Sequence, residues 1–491
     1  MKNNTDMIQQ EPRNLWKQFL AIAAIPHPSG NLDGIRTYVT DLAIKCGFNP
    51  LTDASGNILV RIAEQPSYVL QAHLDMVPQV ADGVSFDFNK DPLVCRQVDA
   101  DTDGHANCLM ATGTTLGADN GIGVAAMLAL MEEAADQPAD QRPAIELLFT
   151  TDEETGMTGA RGLSAEWLKA DKMINLDTEE AGVLMTGCAG AVNISALMKY
   201  RMDNDIPEGD QAIRLSISGL KGGHSGMDIH LFHANACKLM NRFLKHAVVN
   251  FEARVASIDC GTLRNAIPRS GQAVITVPNE VVDEIVEEVR YYQELYRYEY
   301  KDTEPDLQFV AELTSLPSAL LPEEIQDDLL NAVEACHDGV WRWGDIKKLE
   351  VDTSSNLATL KTTADGTAEA IILVRSMDED RKRALASSLH SAFLQGGARV
   401  KFCSAYGAWN TPNDAPLVKH ALSVAASQQL DLTLSKVHCG LECGVISEKY
   451  PDLQIISIGP SIHHPHSPQE SVEIDSVYDF WKLLSGIISS N

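Results

Sequence analysis

In the stretch "QAHLDMVPQ" (71–79), His73 and Asp75 stand where an apolar run ends. Side chains at i and i+2 of a strand leave the same face, so an imidazole and a carboxylate emerge together. Four further acid or histidine clusters stand where apolar runs or loops end. They are Asp119 in "TTLGADNGIG", Glu153 and Glu154 in "FTTDEETG", Asp177 in "NLDTEE" and His466 in "GPSIHHPHSPQE". Singly, each has a plain reading: a polar turn for His73, a helix N-cap for Asp119, solvated charge for the Glu pair. Together at one edge of one sheet they supply two histidines and several carboxylates. That donor set suits zinc and similar divalent ions.

The elements that must carry these residues alternate. "YVLQAHLD", "AIELLFTTDEE" and "DKMINLDTEE" are short apolar runs ending in polar residues, as buried parallel strands do. Between the first two, "NGIGVAAMLALMEEAAD" has the length and composition of a helix. In open α/β sheets ligands bind at the carboxyl ends of the strands. From about residue 192 the character changes to half-exposed strands and amphipathic or charged helices: "AIRLSISGL", a helix in "LFHANACKLMNRFLKHA", "FEARVASID", "GQAVITVPN", a helix near 280–300 and "DLQFVAEL". From Pro322 a similar order follows: helix, "KKLEVDTSSN", "EAIILVRSM", helix, "ARVKFCSAY". After Trp409 the α/β pattern resumes with a helix at 415–429 and the strand "LQIISIGP". The expected fold is α/β. A mixed, largely parallel sheet flanked by helices is formed by 1–191 and 407–491. An α+β domain of two tandem helix-on-sheet units, 192–406, is inserted into it.

A chain of 491 residues exceeds what one core usually supports. Lys and Arg number 39 against 68 Asp and Glu, a net charge of −29, which repels nucleic acid and anionic membrane. No apolar run reaches the length of a membrane span. "FLAIAAI" (19–25) is short, ends at Pro26 and follows Glu11, so it reads as part of an amphipathic first helix from near Asn14 rather than as a leader. Ten scattered cysteines, several inside apolar segments, suit reduced thiols in the cytoplasm. "CGLEC" (439–443) has no second pair with which to form a zinc knuckle.

"HLDMVP", "GTTLGADNGIG", "DEETGMTGA", "NLDTEE", "KGGHSG" and "PHSPQE" resemble the signatures of di-zinc metallopeptidases of the carnosinase and glutamate-carboxypeptidase clan. "RNAIPR", "ILVRSM" and "GLECG" resemble its bacterial aminoacyl-histidine dipeptidase branch. The resemblance runs through most of the chain. It implies two divalent ions, Zn2+ first with Co2+ or Mn2+ as alternatives, bridged by Asp119. His73 and Asp177 would complete one site, Glu154 and His466 the other. Asp75 would orient His73 through its second ring nitrogen. Glu153 would be the general base, its direction opposite to Glu154 if both lie in a strand. His224 in "KGGHSG" would donate to the oxyanion, Arg375 in "ILVRSM" would bind a substrate carboxylate, and the inserted domain would act as a lid. The peptide bond Asp119–Asn120 is expected to be cis.

Other assignments stay open. Only the "HSPxE" phrase selects His466 over His463 and His464. Asn265 either contacts substrate or sets the turn before Pro268. Glu442 either receives a substrate amine or is a surface acid. The implied function is hydrolysis of small unblocked dipeptides, Xaa-His types included, and a homodimer is compatible with it. Its competitors are an amino-acid deacylase or carboxypeptidase of the same clan, and a metal-holding protein without catalysis. The last should lack the base or a bridging ligand, yet Glu153, Asp75 and Asp119 are all present.

Overall fold

The computed structural model describes residues 10–347 and 350–489, and every count below is of these. Residues 1–9, 348–349 and 490–491, which the expected domain ranges and the phrase "KKLEVDTSSN" also include, lie outside the described residues. Two compact units divide the chain. One holds the residues up to Gly187, Trp409–Lys436 and those from Leu441 onward; the other holds Cys188–Ala408 and Val437–Gly440. These divisions lie a few residues outside the 191/192 and 406/407 boundaries read from the sequence. Val437–Gly440 goes with the second unit because its backbone and side chains bond there: Val437 O accepts from Ala189 N, and His438 Nε2 lies 2.8 Å from Ser354 Oγ.

The main sheet of the first unit runs, in spatial order, Pro50–Thr52, Ile58–Arg61, Ile145–Thr150, Tyr68–His73, Lys172–Asn175, Gln454–Ser457, Val183–Cys188 and Trp409–Asn410. Thr433–Val437 pairs with Val183–Cys188. The strands from Ile145–Thr150 to Gln454–Ser457 are mutually parallel. Tyr68–His73 and Ile145–Thr150 are buried at every residue, as strands covered on both faces must be. The helix Ala118–Ala135 is buried almost all round, and Arg13–Ala23 contributes Leu15, Trp16, Phe19 and Ile22 to the same core. A four-stranded antiparallel sheet, in the order Ile462–His463, Ser471–Glu473, Ala106–Ala111, Cys95–Ala100, completes this unit.

The second unit is antiparallel, and its two helix-on-sheet halves join in one sheet. Gln308–Thr314, Asp210–Ser218, Gly271–Pro278 and Arg254–Cys260 form one half of a single sheet. Val351–Thr363, Thr367–Ser376, Gly190–Lys199 and Arg399–Tyr406 form the other, with Gly339–Trp343 paired to Val351–Thr363. The seam is short: Asp259 opposite Lys361 and Cys260 opposite Leu360. Four helices, Ala236–Phe251, Val282–Glu299, Glu323–Ala335 and Glu379–Gln395, contribute apolar faces to one continuous core. None of the ten cysteines is joined in a disulfide. Among the described residues no helix is long and apolar enough to cross a membrane.

Candidate metal centre

The parallel strands deliver the clusters to one edge. His73 is the last residue of its strand and pairs in register with Thr150, the last of its neighbour. Glu153 and Glu154 follow Thr150 by a short turn, and Asp177 follows Asn175, where the next strand ends. A buried polar ladder fixes the register just below. Gln71 Nε2 donates to Thr150 Oγ1 at 3.1 Å, Asn175 Nδ2 to Gln71 Oε1 at 2.7 Å, and Ser457 Oγ to Asn175 Oδ1. Satisfied, such bonds each contribute about 1 kcal/mol; a one-residue slip would orphan several at once.

Asp119 arrives from the helix that packs on this edge. The first turn of Ala118–Ala135 is not helical at Asp119 and Asn120, and the bond between these two residues is cis, as expected. The helix needs glycine to come this close. A Cβ at Gly123 would strike Asn120 Oδ1 and lie 2.9 Å from the Leu176 carbonyl. Asn120 Nδ2 in turn donates to Asp177 Oδ1.

The two oxygens of Asp119 face two different imidazoles. Oδ1 lies 3.0 Å from His73 Nε2, and Oδ2 lies 3.1 Å from His466 Nε2. His73 Nε2 is also 3.4 Å from Asp177 Oδ1, and His466 Nε2 is 3.0 Å from Glu154 Oε1. Ligand atoms within 4.8 Å of one another thus form two sets that share Asp119: His73, Asp119 and Asp177; Asp119, Glu154 and His466.

The donor chemistry fits divalent cations. A carbonyl only accepts, so His73 Nδ1, 2.9 Å from the Asp75 main-chain oxygen, carries the proton. In a neutral ring that leaves the Nε2 lone pair aimed at carboxylate oxygens. Glu154 Oε1 is buried and has no hydrogen-bond donor, although His466 Nε2 is 3.0 Å away. Tetrahedral zinc with ligands at about 2.0–2.2 Å sets them roughly 3.4 Å apart, and the observed separations of 3.0–3.4 Å are close to that. The charge balance agrees. Asp75, Asp119, Glu153, Glu154 and Asp177 outnumber two imidazoles even with both rings protonated. Desolvation drives the Glu153 carboxyl well above the ordinary carboxylate range and raises Glu154 and Asp177 too. The carboxylates of Asp119 and Glu154 push His466 up to about 11.

The structure differs from the sequence expectation at Glu153 and at Asp75. Strand alternation cannot separate Glu153 from Glu154, because the strand ends at Thr150 and both residues lie in a turn closed by Gly156 N to Glu153 O at 3.0 Å. Their carboxylates and His73 come within 4.8 Å of one another. Asp75 meets His73 Nδ1 mainly through its main chain, its Oδ1 lying at 3.5 Å. Its carboxylate makes shorter bonds to Ser29 Oγ (2.7 Å), Glu153 N (3.0 Å) and Glu154 N (3.2 Å). It clamps the turn that carries both glutamates.

Glu442 is not a surface acid. It opens the helix Glu442–Lys449 and is fully buried. Its Oε2 accepts from Gln71 Nε2 and Thr150 Oγ1, both at 2.6 Å, while Oε1 has no partner. Burial pushes this carboxyl up to about 7. His463 and His464 are engaged elsewhere, by Glu473 Oε1 at 2.7 Å and Asp103 Oδ2 at 2.9 Å. Asp101, His105 and His463 also gather, but the two imidazoles stack face to face at 3.6 Å and 8°. An ion between their nitrogens would lie far out of both ring planes.

The second unit gathers His224, Asn265 and Arg375 by itself. His224 Nδ1 accepts from Gly226 N (3.2 Å) and Met227 N (3.1 Å), so a neutral ring carries its proton on Nε2, and the 3.4 Å approach of Arg375 Nη2 to that nitrogen is then a close contact of two donors rather than a hydrogen bond. Burial, then the Arg375 charge, lowers this histidine to about 4, which keeps it neutral at pH 7. Asn265 O accepts from Ser225 N at 2.8 Å, and its side chain is exposed. Arg375 is buried; Nη1 donates to Tyr406 OH at 3.0 Å, and Ser225 Oγ lies 3.4 Å from both Nε and Nη2. Tyr406 and Ser29 are the contacts that sequence reading missed. They stand 46 and 31 positions along the chain from the residues they meet, Ser29 from Asp75 and Tyr406 from Arg375.

The model of peptidase family M20/M25/M40 matches residues 69–490. The cytosol non-specific dipeptidase of Escherichia coli (strain K12) is 37% identical over 493 residues, 99% of each chain. The crystal structure of aminoacylhistidine dipeptidase from Vibrio alginolyticus superimposes with a TM-score of 0.83 at 34% identity, covering 98% of this chain and 97% of that one. A tripeptidase from Staphylococcus aureus, at 16% identity and a TM-score of 0.54, shares the fold. With the family model spanning residues 69–490 and a relative 37% identical across 99% of both chains, the chain belongs to peptidase family M20/M25/M40.

Proposed function

We propose that the chain is a metal-dependent dipeptidase acting on unblocked dipeptides, Xaa-His and carnosine-like substrates included. One observation carries the reading: a single carboxylate, Asp119, offers one oxygen to each of two histidine–carboxylate sets. The full-length likeness to a protein named cytosol non-specific dipeptidase supports it. His73, Asp119 and Asp177 would hold one divalent ion and Asp119, Glu154 and His466 a second, with Zn2+ the ion we assign. Bound there, the pair would polarise the scissile carbonyl and acidify water.

The remaining work falls to side chains. Glu153 takes the proton of the attacking water and delivers it to the leaving amine. Asp75 holds the backbone that carries this base. In the residues 192–406, which we assign as a lid, neutral His224 offers its Nε2 proton to the oxyanion. Arg375 binds the terminal carboxylate as a planar fork with Asn265 near it. Glu442, whose Oε1 is unpartnered, takes the free amine. We place the protein in the cytoplasm; a homodimer is compatible with this reading.

The test is turnover of a dipeptide panel with and without chelator, beside N-acetylated partners. Free dipeptides should be hydrolysed and their N-acetyl forms left intact. Chelator should stop the reaction and added Zn2+, Co2+ or Mn2+ restore it. Hydrolysis of N-acetyl amino acids with intact dipeptides would identify a deacylase instead.

A further inference from the structure

The phrase "PHSPQE" ends in Glu470, which the chemistry above does not use. Glu470 is buried, and its carboxylate accepts from four consecutive backbone N–H groups. Oε2 takes Leu116 N (2.8 Å) and Gly117 N (3.0 Å); Oε1 takes Ala118 N (2.8 Å) and Asp119 N (3.3 Å). The first N–H groups of a helix need outside acceptors, and Gly117 gives Ala118–Ala135 no side-chain cap. A carboxylate more than 350 positions away supplies it, with charge of the sign a helix start favours.

The other end of Glu470 holds the turn that carries His466. Glu470 N donates to Ser467 O at 3.0 Å, Ser467 Oγ to His464 O at 2.8 Å, and Gln469 N to Ser467 Oγ at 3.2 Å. His464 and His466 both adopt left-handed φ, 50° and 60°. Non-glycine residues persist there only when their surroundings enforce it. One side chain therefore ties the backbone of Asp119 to the strained turn of His466.

We propose that Glu470 is a positioning residue that sets the span between Asp119 Oδ2 and His466 Nε2, and so governs one of the two metal positions. This rests on the metal centre proposed above. The governed position is the one shared by Asp119, Glu154 and His466. His73 and Asp177 are placed by strands instead: His73 ends one fully buried strand, and Asp177 follows the end of the next, Lys172–Asn175. His466 has no such support, being in a loop with its side chain 48% exposed.

Glu470→Gln would set an amide NH2 against two N–H donors, and Glu470→Asp would withdraw the carboxylate by one methylene. The experiment titrates the metal-loaded full chain with graded chelator. It reads metal equivalents by elemental analysis, follows the Co2+-substituted absorption spectrum and records thermal unfolding. In both variants one equivalent should leave at about 10–100-fold higher free metal than in the unmutated protein, the usual cost of losing a partner that orients a ligand. The other equivalent should stay, and excess metal should restore kcat at unchanged KM. Loss of both equivalents in parallel, or a lower Tm with the ratio of the two affinities unchanged, would show a plain helix cap and overturn the proposal. An unmutated protein that binds no metal would overturn the metal centre itself, a separate result.

Discussion

Replacing Asp75 by Asn changes one oxygen into an NH2 group, and the structure shows what that must do. Both carboxylate oxygens are acceptors: Oδ1 for Glu153 N at 3.0 Å, Oδ2 for Ser29 Oγ at 2.7 Å and Glu154 N at 3.2 Å. With the amide nitrogen at the Oδ2 position, the Ser29 hydroxyl can turn and accept, but Glu154 N–H faces another donor. With it at the Oδ1 position, Glu153 N–H does. Either placement orphans one partly buried N–H, at up to about 1–3 kcal/mol. The displaced residue is then the base or a ligand, and shifts of this kind typically lower activity about 10–100-fold. Steady-state kcat/KM on a dipeptide, with metal content at saturating metal, gives the assay. The expected result is that loss with both equivalents present. Ser29→Ala, which removes one donor and orphans no backbone group, should lose far less. Unchanged kcat/KM in Asp75→Asn would refute the clamp.

Two further outcomes follow from the second unit. Arg375→Ala should weaken dipeptide hydrolysis and narrow the preference over a tripeptide. One added residue moves the termini roughly 3.3–3.6 Å apart, and an unpaired buried charge partner costs roughly 2–5 kcal/mol. Equal kcat/KM for both lengths in the unmutated protein would sink the two-anchor model. Asp338 is partly buried, and desolvation raises its carboxyl from 3.8 to about 6. A folded value above the unfolded one means stability is fully present below about pH 4 and lost as pH rises to about 6, by up to about 3 kcal/mol at roughly 1.4 kcal/mol per unit. The substitution Asp338→Asn keeps the Oδ1 acceptor used by Asn235 Nδ2 and Leu357 N. This variant should therefore gain stability relative to the unmutated protein across that window in urea unfolding; a pH-independent difference would contradict this.

The site was legible where the chain writes it locally. Continuous apolar runs that stop at His73, Thr150 and Asn175 give buried parallel strands, and their shared edge follows from the fold class. Long-range partners were not legible. Nothing in "GLECG" says that Glu442 is buried, because the groups that bond it, Gln71 and Thr150, are far away in sequence. Strand alternation misplaced Glu153 since it assumes a strand that has already ended. The repeated element order of the second unit could not reveal one sheet, because the join is two residue pairs, Asp259–Lys361 and Cys260–Leu360. The four-stranded sheet escaped notice because Cys95–Ala100 is largely polar and the strands from Ile462 and Ser471 are two and three residues long.

Glu153→Gln tests the centre most directly. Metal equivalents and turnover are measured on the same preparation, beside the unmutated protein. The general-base role requires a rate lower by at least about 10²-fold, with two metal equivalents retained in both proteins. Retained turnover would mean that Glu153 is not the base; a metal equivalent lost along with the glutamate would mean that the assignment of the five metal ligands is wrong.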